Sequence, residues 1–238
     1  MSRNTITFYR AVVLILALFY WLYQFGGISE EPFGWQFRYL TIWSLTANTV
    51  AAGLLLRYSL GYTDKDWNSF ISAAMVISMV VVIQYWRLHL IDPKLVGSGE
   101  IPWHQQYYLH LLGPILLWID AILILGTFKN IKKILIIITI FSISYPIWME
   151  CFLQIINTKP SGLITDGLPY PFLNDMRAIE RVVFYTISIG LNYLLIYVGW
   201  LLSNVIFLKA RKHINNCLLY TSDAADEGLG VDLGGRRI

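Results

Sequence analysis

The chain has 238 residues, of which 56% are hydrophobic and 14% charged, with a formal net charge of +3. A water-soluble domain carries about 25% charged residues, so this balance argues against a soluble enzyme. Two cysteines, Cys151 and Cys217, imply no disulfide framework, and so small a net charge gives no reason to expect nucleic acid as a partner.

The charges collect between long apolar runs, the pattern of a polytopic, all-α membrane protein. Six spans are predicted: 7–25, 37–56, 70–90, 107–126, 131–153 and 182–208. Each is close to the roughly 20 residues that cross a bilayer core. The first opens after Arg3 and is closed by Gly26 and Gly27. No small-residue cleavage site follows it, so it reads as a span and not as a removed signal peptide. Trp21, Tyr23, Trp35, Trp67, Tyr85, Trp86, Trp103, Tyr107 and Trp148 cluster at the span ends, as interfacial aromatics do. Residues 1–212 thus form one six-helix transmembrane bundle with no separate soluble domain. The tail 217–238 is of a different kind. Its stretch from Cys217 to Glu227 resembles the translation of a transposase-type sequencing adapter, and it is expected to be non-native.

Basic residues set the expected orientation. With an inside N-terminus, ten fall on the cytoplasmic side (Arg3, Arg10, Arg57, Lys65, Lys129, Lys132, Lys133, Lys209, Arg211, Lys212) and six on the other. The bias favours both ends of the bundle inside. The longest connection, 157–181, is rich in Pro, Gly and Asp, and a loop of that length suggests a lid or binding loop.

Under that topology a set of polar groups reaches one depth. Thr41 lies near the outer end of the second span, and His110 one turn inside the fourth. Tyr145, Trp148 and Glu150 lie where the fifth span leaves the bilayer, and Tyr170, Phe172 and Asn174 lie in the long loop on the same side. Ionisable groups within a bilayer are costly and mark function or a buried polar partner. Pro114 has no N–H to give the carbonyl four residues back, which is that of His110, so the helix opens beside the imidazole. A hydroxyl beside an imidazole makes a nucleophile with its general base, and near the headgroups the pair would reach a lipid ester and water. The plainer readings are a Thr bonded to its own helix and a His that bridges helices. Asp120 is ten residues beyond His110, about 15 Å along the helix and on another face, so it is expected to pair with a basic group or bridge helices instead. Glu150 is the candidate to orient the imidazole. Asn48, about two turns along the second span, is a candidate oxyanion donor. His89 and His104 at span ends read as solvated interfacial side chains. No metal or cofactor motif is present.

Four segments occur in order: Phe37-Arg-Tyr-Leu-Thr-Ile-Trp-Ser44, His110-Leu-Leu-Gly-Pro114 followed by Asp120, Tyr145-Pro-Ile-Trp148, and Tyr170-Pro-Phe-Leu-Asn174. Together they resemble the androgen-induced (FAR-17a/AIG-like) membrane-protein family over nearly all of residues 1–212. The loop and the His-to-Pro spacing look closer to its bacterial members, described as Pr6Pr membrane proteins. Animal members hydrolyse fatty acid esters of hydroxy fatty acids with an intramembrane Thr and a His. The resemblance implies that Thr41 and His110 hold those positions. From the topology, the candidate substrate contacts are Asn48, Tyr145, Trp148, Glu150, Tyr170, Phe172 and Asn174. The expected partners are membrane lipids and a lipid ester, and no cofactor is implied. The competing expectation is a non-catalytic protein that binds or carries a lipid or other hydrophobic ligand. A proton- or ion-coupled transporter is a weaker third, since no inverted repeat is visible.

Overall fold

The computed structural model describes residues 2–26, 33–63, 67–96, 101–157 and 167–229, of which 206–229 are described as helical backbone only. Among the described residues the protein is an all-α bundle of six long helices: α1 (Arg3–Tyr23), α2 (Leu40–Leu60), α3 (Asn68–Ile91), α4 (Trp103–Leu125), α5 (Ile131–Ile156) and, after the short α6 (Pro171–Asn174), α7 (Ala178–Leu229). Five of them are long and apolar enough to cross a membrane. The exception is α2, equally long at 21 residues but interrupted by Thr41, Ser44, Thr46, Asn48 and Thr49. The predicted boundaries shift by a few residues because capping groups decide them. Ser2 Oγ accepts from Thr5 N–H at 3.2 Å to start α1, and Asn130 Oδ1 accepts from Lys133 N–H at 3.1 Å to start α5. Gly61, at φ 79°, ends α2 in the left-handed conformation that L side chains disfavour. Helix α7 continues through residue 229; of the expected non-native tail, 230–238 lie outside the described residues.

The central helix is α3. Ile71, Ser72, Ala73, Ala74, Met75 and Val76 are all buried in succession, so this helix is covered on every side. Its small side chains let neighbours approach closely, as helix contacts in lipid require. The outer helices differ. Phe8, Ile15 and Phe19 of α1, Ile136, Ile140 and Ile143 of α5, and Val183, Ile187 and Leu194 of α7 are exposed. Such apolar outer faces suit acyl chains in place of water, which makes this an integral membrane protein.

Ionic groups inside the bundle are paired. Arg10 of α1 grips Asp120 of α4 with two bonds, Nε to Oδ2 and Nη2 to Oδ1, both 2.7 Å. Its Nη1 donates to Ser59 Oγ at 2.6 Å and to Leu55 O at 3.2 Å, so the guanidinium ties α1, α2 and α4 together. The sequence anticipated a basic partner for Asp120; the partner is Arg10.

Candidate functional site

Helices α4 and α5 widen from α-helical into π-helical turns at three places: Tyr108–Leu112, Asp120–Leu125 and Met149–Leu153. Each contains an ionisable residue, respectively His110, Asp120 and Glu150. Such turns recur at functional sites because the extra residue re-aims side chains. At the first, the sequence argument holds in detail. Pro114 cannot bond the His110 carbonyl, and Trp86 Nε1 of α3 donates to it instead at 2.7 Å. The His110 ring lies flat on Tyr85, with centroids 3.5 Å apart and planes 3° apart. The residue is 4% exposed and its Nδ1 has no hydrogen-bond partner. Tyr85 also stacks on His89, whose Nε2 lies 3.4 Å from Gln106 Nε2. His89 is thus an inner member of an aromatic stack rather than a solvated group.

Thr41 is the second residue of α2. The first turn of a helix has no carbonyl one turn back for its N–H groups. The Leu40 N–H donates to the Tyr170 phenol oxygen at 3.0 Å. Among the described residues no backbone acceptor meets the Thr41 N–H, which stands beside its own hydroxyl. Tyr170 also interacts with Thr41 and with Tyr145, and the Tyr145 hydroxyl donates to Arg38 O at 2.7 Å. Burial pushes the Tyr170 phenol up to about 12, so it remains a proton donor throughout the physiological range. A loop phenol therefore organises the start of α2.

A cavity of about 110 Å³ opens at this point between α2, α3, α5 and α7. Thr41, Tyr145, Tyr170 and Phe172 line it, together with Tyr85 and an otherwise largely apolar wall including Val80, Val81 and Phe141. Residues 158–166 of the long loop lie outside the described residues, but its second half closes one end of the cavity through Tyr170, Phe172 and Leu173. A second cavity, about 10 Å³ and sized for about one water, lies between α1, α2 and α4. Thr41, Ser44 and Asn48 line it from α2, and Leu109, Gly113 and Pro114 from α4. Thr41 belongs to both walls. The α2 turn that begins with Thr41 and the α4 turn that holds His110 thus face each other, but His110 itself lines neither cavity and, among the described residues, no hydrogen bond joins the two side chains.

The remaining sequence candidates have other surroundings. The Glu150 carboxylate accepts from Arg181 Nε at 2.8 Å, Arg181 Nη2 at 3.0 Å and the Tyr185 hydroxyl at 2.7 Å, and so is committed to α7 and does not orient His110. Trp148 Nε1 donates to Phe37 O at 3.1 Å. Asn174 folds its own loop, accepting from Leu168 N–H at 3.2 Å and donating to Leu168 O at 3.1 Å. None of these three lines either cavity. Sequence reasoning passed over Tyr85 and Trp86, which read as interfacial aromatics, and the polar Gln84, Ser188 and Asn192 within apolar runs, all of which but Trp86 line the main cavity. Among the described residues no group of three or more His, Cys, Asp and Glu side chains is close enough to hold a metal ion.

A FAR-17a/AIG1-like protein family model matches residues 4–204. The chain belongs to the FAR-17a/AIG1-like family. The match reaches all six long helices, ending within α7, and covers both cavities, so in this FAR-17a/AIG1-like protein the site belongs to the family fold and not to an appended segment. Comparisons with curated proteins and with solved structures gave no match.

Proposed function

We propose that this protein is a membrane-embedded hydrolase of lipid esters, with Thr41 as nucleophile and His110 as general base. The observation that carries the reading is the position of Thr41. Its hydroxyl stands at the head of a helix, in the wall of an apolar cavity, beside a backbone N–H with no carbonyl partner. In the first step Thr41 Oγ attacks the acyl carbonyl while His110, on the facing turn of α4, takes its proton. The carbonyl oxygen, now carrying the negative charge, accepts from the Thr41 N–H, favoured by the positive end of α2, and from the Tyr170 phenol. Collapse breaks the ester C–O bond, and the imidazolium protonates the departing alkoxide. Water, deprotonated by His110, then releases the acid and restores Thr41. Asn48, further along α2 on the smaller cavity, serves the water better than the oxyanion. The ten-to-six bias of basic residues favours the outer side of the membrane for this chemistry.

The test is turnover of p-nitrophenyl octanoate by the full chain in detergent. Saturable hydrolysis that falls at least about 100-fold in both Thr41→Ala and His110→Ala is the expected result. Unchanged turnover in folded Thr41→Ala would overturn the proposal. The second reading, a non-catalytic lipid-binding or carrier protein, draws on two observations: no hydrogen bond joins Thr41 to His110, and no acceptor orients His110 Nδ1. It predicts ligand binding without hydrolysis and insensitive to Thr41→Ala.

A further inference from the structure

We propose that the inner end of the main cavity is a subsite for a hydrogen-bond donor on the lipid, namely a hydroxyl carried on its chain, with Gln84 Oε1 and Asn192 Oδ1 as the acceptors. Gln84 of α3, Ser142 of α5, and Ser188 and Asn192 of α7 interrupt the otherwise apolar wall there. The hydrogen bonds fix which way both amides face. Ser188 Oγ donates its only proton to Phe184 O at 2.9 Å, so toward Gln84 it can only accept. The group 2.9 Å from it is therefore the Gln84 amino group, and Oε1 is turned away. Asn192 Nδ2 donates to the Ser188 carbonyl at 3.0 Å and lies 3.4 Å from Ser142 Oγ, which fixes its oxygen likewise. Neither amide oxygen has a hydrogen-bond partner, and both are buried.

A fold built only to bury this wall would not keep two such orphans. Buried acceptors are nearly always satisfied, and each exception asks for a partner. Both oxygens belong to residues that line this end of the cavity and whose amides bond Ser188, one at its hydroxyl and one at its carbonyl. A hydroxylated chain offers them a donor; a plain chain, a ketone or an ether does not. A site that hydrogen-bonds a substrate hydroxyl rejects the analogue lacking it far more strongly than an apolar pocket rejects a missing methylene. Position follows from α5. Ser142 is three residues before Tyr145, about 4.5 Å farther from the Thr41 end, so the hydroxyl belongs at least about four carbons from the ester.

The inference rests on this cavity being the lipid site, but not on Thr41 being a nucleophile. Binding is therefore measured in Thr41→Ala, which cannot turn the probes over. The probes are methyl octadecanoate and its 6-hydroxy and 6-methoxy derivatives, tested by competition against a fluorescent fatty ester in detergent. The hydroxy ester is expected to bind at least about tenfold tighter than both others. Adding Gln84→Met or Asn192→Leu should erase that preference, so that the hydroxy ester binds no tighter than the plain one. Equal binding of all three probes, or a preference that survives both substitutions, would overturn the subsite while leaving the lipid cavity intact. Failure of every ester to bind the folded protein would instead remove the lipid cavity, and the subsite with it.

Discussion

Replacing Asp120 by Leu tests the internal ion pair that locks three helices together. Both charged side chains are nearly sealed, with 4% and 2% of their surface accessible. The substitution removes two charge-assisted hydrogen bonds of 2.7 Å and strands a guanidinium among apolar groups. Breaking one side of a buried pair costs about 3–5 kcal/mol. Arg10 keeps Ser59 Oγ and Leu55 O, which places the loss near the lower end, about 3 kcal/mol. For a chain of this size that lowers the unfolding midpoint by roughly 6–12 °C. The assay is thermal unfolding in detergent, comparing wild type, Asp120→Leu and the double variant Arg10→Met/Asp120→Leu. The double variant is expected to recover most of the loss, because it leaves no unpaired charge. A single variant as stable as wild type, or a double variant no better than the single, would refute the reasoning.

Three further perturbations have expected outcomes. Trp86→Phe leaves the His110 carbonyl without its donor beside Pro114, and thermal unfolding should show a loss of about 1–3 kcal/mol. Gly199→Ala drives a methyl group into the Phe128 ring, which is 1% exposed; unfolding should register about 1–3 kcal/mol of overpacking. Glu150→Gln removes the charge that holds Arg181 and Tyr185. At this partly exposed end of the bundle the stability loss should stay under about 1 kcal/mol, while proteolysis of the adjoining loop should quicken.

The apolar runs specify the six helices well, because span length is set by bilayer thickness and not by tertiary detail. The effect of Pro114 on the His110 carbonyl was also legible, since a missing N–H is a local fact. Partners were not. A helix in lipid is apolar on its outer face as well as its packed one, so periodicity barely distinguishes the two, and the facing of α3 toward α4 could not be read from it. Tyr85 and Trp86 therefore passed as interfacial aromatics although they hold the ring and the carbonyl of His110. Glu150 looked available to an imidazole because its partners lie 31 and 35 residues away, across an irregular loop. The donor beside Thr41 is a backbone group, which no pattern of side chains announces; the sequence suggested Asn48 in its place.

The most direct test of the account is covalent labelling. Detergent-solubilised protein is treated with an alkyl fluorophosphonate, digested, and the modified peptide sequenced by mass spectrometry. The account predicts one adduct on Thr41, blocked by excess lipid ester and lost in His110→Ala. No adduct in folded protein, or an adduct elsewhere that persists in Thr41→Ala, would contradict it and leave a lipid-binding bundle without a nucleophile.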